Sequence, residues 1–94
     1  MNDSIGKPEV SDVARQRRTA VRQAVLRYLR NHPRASDSVT GISAWWLPEE
    51  GVEEDRTVVE EVLEDLAAEA LIRRFELPDG TVVFASADAD RRGA

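Results

Sequence analysis

Apolar residues recur along the chain in three stretches of helical spacing, followed by two short runs rich in strand formers. In the first stretch the apolar positions are Val13, Ala14, Val21, Ala24, Val25, Tyr28 and Leu29. From Val21 onward they fall at the i, i+3/i+4, i+7/i+8 spacing of one helical face. Ser11 is placed to cap this helix. Asn31-His32-Pro33 ends it, because proline disfavours helical geometry in the residue before it. After a loop at 34–38, Val39, Ile42 and Trp46 fall within about 60° of one another on a helical wheel. This predicts a second, short helix stopped by Pro48. Trp45 lies about 100° from Trp46, so only Trp46 is expected in the core, with Trp45 at its edge or exposed. A turn carrying Gly51 leads to Asp55, a candidate cap for a third helix. That helix buries Val58, Val59, Val62, Leu63, Leu66, Ala67 and Ala70, and Leu71-Ile72 leads out of it into a strand.

Residues 72–86 predict a β-hairpin. IRRFEL and TVVFAS are joined by Pro78-Asp79-Gly80, where proline presets the first turn dihedral, aspartate caps and glycine takes the positive φ. Strand alternation places Leu71, Arg73, Phe75 and Leu77 on one face, so Phe75 and Leu77 are expected to point into the core and Arg74 outward. The predicted architecture is α+β, three helices plus a C-terminal hairpin, over residues 11–87. Residues 1–10 read as a flexible arm and 88–94 as a disordered tail. A core of this size supplies about 3–5 kcal/mol of net stability.

Charge changes the picture more than composition does. The net charge is −5 over 94 residues. Residues 1–47 hold eight Lys/Arg against four Asp/Glu, and residues 48–94 hold five Arg against fourteen Asp/Glu. One half is therefore basic and the other strongly acidic. This suits contact with a protein, or with a second copy of the chain, better than wrapping by nucleic acid. There is no cysteine, which rules out disulfides and thiolate chemistry. No apolar run approaches the roughly 20 residues of a membrane span, and the first ten residues lack a signal-peptide pattern. The cytoplasm is the expected location, with no membrane contact.

Long helix, short helix, turn, long helix, hairpin is the order of a winged helix-turn-helix domain. Over residues 18–86 the chain resembles the DNA-binding half of Fur-type bacterial regulators. The matching stretches are AVLRYL, GISAWWL and DRTVVEEVLEDLAAEALIRRFELPDGTVVFAS, the last including Ala70-Leu71-Ile72-Arg73-Arg74 at the junction of helix and wing. The resemblance implies a winged fold whose third helix would enter a DNA major groove. It carries over no metal site, since the chain has one histidine and no cysteine. The dimerisation half of that family has no counterpart in these residues.

The third helix departs from such a pattern by presenting Glu60, Glu61, Glu64, Asp65 and Glu69 to solvent. Near a phosphate each carboxylate costs about 1 kcal/mol even in water, and the i,i+4 like-charge pairs weaken the helix by about 0.2–0.5 kcal/mol each. Two functional readings follow. The first is a non-enzymatic module that docks a basic protein through Trp45, Glu60, Glu61, Glu64 and Asp65. The alternative is a DNA-binding regulator touching the duplex through Arg15, Arg18, Arg22 and Arg74. Against the second stands a plainer role for the first-helix arginines Arg15, Arg17, Arg18 and Arg22: pairing with the acidic half, within or between chains, or simple solvation. A homodimer using the first helix or the opposed charge faces is a third outcome. His32 reads as a helix-end residue, and Glu53, Glu54 and Asp55 lack the spacing of a calcium loop. No Gly-rich phosphate loop, Ser/His/Asp set, HExxH or CxxC occurs, so neither cofactor nor catalysis is expected.

Overall fold

The helical spacing of the sequence sets the frame of the fold. In a computed structural model of the chain, which describes residues 10–87, helix α1 spans Val10–Asn31 and strand β1 spans Ser36–Asp37. Helix α2 runs from residue 39 to 49 as Val39–Gly41, a π-helical turn Ile42–Trp46, and Leu47–Glu49. Helix α3 is Arg56–Ala68, and strands β2 (Ile72–Glu76) and β3 (Val82–Ser86) complete the order. The result is a compact α+β domain of three helices and an antiparallel sheet ordered β1-β3-β2. The expected tail at 88–94 and the expected arm, apart from Val10, which begins α1, lie outside the described residues.

The apolar positions of the three helices meet in one core. Val21, Ala24, Val25 and Leu29 of α1 pack with Ile42, Trp46 and Leu47 of α2, with Val59, Val62, Leu63 and Leu66 of α3, and with Ile72 and Phe84 of the sheet. Trp46 is buried and stacks on Tyr28, with ring centroids 4.7 Å apart and planes 10° from parallel. The ring of His32 also lies against Tyr28, its centroid 4.2 Å away and its plane tilted by 32°.

Helix α2 differs from its expected form. It does not stop at Pro48 but runs one residue further, to Glu49. Within it the Leu47 N–H donates to the Ile42 carbonyl, five residues back. In an ordinary helix Leu47 would lie about 140° from Ile42. The wider turn swings it back, so that Ile42, Trp46 and Leu47 are all buried. The same widening sits where the Pro48 ring would otherwise press on the preceding turn. Ser11, expected as a cap, instead lies inside α1. Asp55 does hold the position before α3, but its side chain makes no capping hydrogen bond.

Helix α3 ends in a paired set of backbone bonds. The Ala70 N–H donates to Ala67 and the Leu71 N–H to Leu66, both at 3.0 Å. This Schellman arrangement requires a left-handed residue, normally glycine, yet Ala70 occupies it at φ 64°. A side chain there costs roughly 1–2 kcal/mol. We therefore expect Ala70→Gly to stabilise the domain by about 1 kcal/mol net of its entropic penalty. Thermal unfolding should show this as a rise of about 4–8 °C; an unchanged or lower midpoint would count against it.

The hairpin closes as its turn residues predict. Gly80 takes φ 91°, its N–H donates to the Leu77 carbonyl at 2.8 Å, and the Asp79 carboxylate accepts from the Thr81 N–H at 2.9 Å. The face assignment of β2, however, is the reverse of the expected one. Arg74 lies opposite Phe84, and Phe75 opposite Val83. Phe84 is in the core, so Ile72 and Arg74 share the inward face, while Phe75 and Leu77 stand 37% and 40% exposed on the other. The cause is β3: Val83, Phe84 and Ala85 are all buried because this strand is flanked on both sides. Its continuous apolar run dictates the register that β2 must accept. Strand β1, a loop by expectation, supplies the second flank by pairing Ser36 with Ala85 and Asp37 with Phe84.

Candidate functional site

The acidic character of α3 is divided between two flanks. Core residues Val59, Val62, Leu63 and Leu66 define its inner face. At 100° per residue, Glu60 and Glu64 then fall on the flank toward the hairpin. Glu61, Asp65 and Glu69 fall on the flank toward α1.

Arginines of α1 and β2 meet these flanks. Arg18 pairs with Glu61 at 2.6 Å. Arg22 holds Glu69 through both guanidinium nitrogens, at 2.6 and 2.9 Å. Arg74, on the inward face of β2, donates from Nε to Glu64 at 3.1 Å. Beyond the helix, Arg17 binds Glu54 through Nε at 3.0 Å and through a second nitrogen, Arg27 binds Glu50 at 2.9 Å, and Arg15 binds Asp12 at 2.9 Å. All four residues of the alternative DNA-contact set, Arg15, Arg18, Arg22 and Arg74, are thus engaged within the chain. The outward placement expected of Arg74 is corrected by its register opposite Phe84. Glu60 and Asp65 have no hydrogen-bond or ion-pair partner among the described residues.

Exposed pairs of this kind add little to stability because solvent screens them, yet they set local titration. The guanidinium of Arg17 and the Asp55 N–H hold the Glu54 carboxyl below its ordinary range, and Arg22 does the same for Glu69. The Thr81 N–H does so for Asp79. A group depressed in the folded state stabilises above its unfolded pKa and loses that contribution as pH falls through its folded pKa. We therefore expect the thermal midpoint to hold from neutrality down to about pH 4.5 and then fall. Glu69→Gln should lose less on acidification than the parent chain. Parallel pH profiles for the two chains would contradict this account.

Between α3, the start of α2 and the hairpin lies a groove of about 700 Å³. Its walls carry Glu60, Glu61, Glu64 and Asp65 with Arg18 and Arg74, and Val39, Val82 and Phe84 also line it. Four carboxylates against two guanidinium groups leave a charge of −2. Trp45 is 70% exposed but is not part of this lining. It stands six positions beyond Val39 on α2, about 9 Å along the helix axis. The structure thus gathers Glu60, Glu61, Glu64 and Asp65 in one groove and leaves Trp45 apart from it. Two contributors were not anticipated: Arg18 and Arg74 as walls of the acidic groove, and the apolar lining. Their partners lie far off in sequence and leave no local signal.

Among the described residues no group of three or more His, Cys, Asp or Glu is arranged to hold a metal ion. No described helix is long and apolar enough to cross a membrane. No protein-family model, characterised protein or solved structure matches the chain.

Proposed function

We propose that this chain is a winged-helix, non-enzymatic docking module that receives a basic protein segment in the acidic groove of α3. The winged reading is supported by the element order, by the sheet order β1-β3-β2 and by the hairpin that follows α3. In such a fold α3 is the element that would enter a DNA groove. The observation that carries the proposal is that this helix presents a groove of net charge −2, with Glu60 and Asp65 unpaired. Phosphates would meet repulsion there, while the arginines that might have offset it are already held by carboxylates. A lysine or arginine suits the same space. Its charged head meets Glu60 or Asp65, and its methylene stem lies against Val39 and Val82. Trp45, exposed on α2 but outside the groove, would offer the partner a separate aromatic anchor.

The test is a titration of the isotopically labelled chain with a short arginine-containing peptide, read by amide chemical shifts. Changes concentrated at Glu60, Glu64, Asp65 and Val82, and lost in Glu60→Lys/Asp65→Lys, are the expected result. Changes spread evenly over acidic positions outside the groove, such as Glu53 and Glu76, would show only diffuse attraction and would overturn the site.

A further inference from the structure

Among the described residues the sheet ends on β2, whose outer edge has no neighbouring strand. The Leu77 N–H donates to Thr81 at 2.7 Å, so Leu77 and Thr81 form a hydrogen-bonded pair. Antiparallel ladders alternate bonded and non-bonded pairs. Arg73 and Phe75 therefore direct their backbone groups to β3, and Ile72, Arg74 and Glu76 direct theirs to the free edge. Phe75 and Leu77 stand exposed on the outer face of the same strand. On the inner side a groove of about 640 Å³ runs beside the edge, where Ala67 and Ala68 of α3 leave room.

We propose that two copies of this chain pair antiparallel through their β2 edges in the register centred on Phe75, forming a continuous six-stranded sheet. Of the two-fold registers that backbone direction allows, those that pair three or more residues of β2 are centred on Arg73, Arg74 or Phe75. Centring on Arg74 sets Arg74 against Arg74 of the other copy, a like-charge pair that disfavours pairing. Centring on Arg73 sets Ile72 against Arg74 and Arg73 against itself. Centring on Phe75 sets Arg74 against Glu76 twice over, and each such pair exchanges both backbone hydrogen bonds. It also makes Phe75 a non-bonded pair with its own copy, the closer of the two spacings at about 4.5 Å between Cα atoms. Leu77 then lies across from Arg73, whose stem covers it. Charge and apolar contact select the same register. A five-residue edge is short of the roughly 1,200 Å² of a stable interface, so the dimer is weak and concentration-dependent. This inference does not rest on the docking role of α3.

Sedimentation velocity over a concentration series tests it. The parent chain is expected to associate, Glu76→Arg to associate about tenfold less well because both cross-strand pairs become repulsive, and Arg74→Glu/Glu76→Arg to recover. Arg74→Glu also removes the bond to Glu64, so amide exchange on the parent chain provides a second readout. The Arg74 and Glu76 amides should gain protection with concentration, while those of Arg73 and Phe75, already bonded to β3, should not change. A monomer at every concentration, an unaffected Glu76→Arg, or unprotected edge amides in an associating sample would each overturn the proposal.

Discussion

Trp46→Ala is expected to remove about 3–5 kcal/mol of stability, comparable with the whole net stability of a core this small. The indole is 2% exposed and stacked on Tyr28 at 4.7 Å. It joins α1 to α2 through that stack, and truncating it leaves a cavity in the core. Its neighbour provides the control. Trp45 is 70% exposed, and Trp45→Ala should stay within about 0.5 kcal/mol of the parent. Circular dichroism melts should therefore show Trp46→Ala unfolded or lowered by roughly 12 °C or more, with Trp45→Ala nearly unshifted. Equal losses at the two positions would contradict the opposite burial of the two rings.

Gly41→Ala should destabilise by about 1–3 kcal/mol, although alanine at an open helical site is the better helix former by about 1 kcal/mol. Gly41 is buried in the first turn of α2, and a Cβ there would collide with the Asp37 carboxylate. That carboxylate is half-buried and accepts from the Ser38 N–H at 2.8 Å. Moving it aside breaks the bond that settles the turn between β1 and α2. Asp37→Ala removes the obstacle, so the double variant should be more stable than the sum of the single losses predicts. Chemical denaturation of the four chains measures this. A stabilising Gly41→Ala, or strictly additive losses, would show that the close approach is not maintained in solution.

The sequence made legible what depends on local period and local turn chemistry. The spacing of Val21, Ala24, Val25 and Leu29 and that of Val59, Val62, Leu63 and Leu66 marked the buried faces of α1 and α3. Pro78-Asp79-Gly80 marked the hairpin, and the angle between Trp45 and Trp46 separated the exposed ring from the buried one. What was not legible depends on distant partners. Strand β1 is two residues long, too short to show a period, and exists because β3 offers it an edge. The face of β2 followed from Phe84 rather than from its own alternation, which misplaced Phe75, Leu77 and Arg74. Helix α2 passes through Pro48 because a widened turn precedes it. Within the candidate site, the carboxylates were visible as a set. Pairing of the first-helix arginines with the acidic half was also expected, but the individual partners were not, since Arg22 and Glu69 lie 47 positions apart, and neither was the bond from Arg74 to Glu64.

The account turns on whether α3 faces protein or DNA. Titration of the chain into a labelled mixed-sequence duplex at low salt decides this most directly, because ordinary non-specific binders associate at about 1–100 μM even at physiological salt. The acidic groove predicts no association up to tens of micromolar (about ten times the tighter of those limits). Binding by the parent chain in that range, weakening steeply as salt is added, would contradict it.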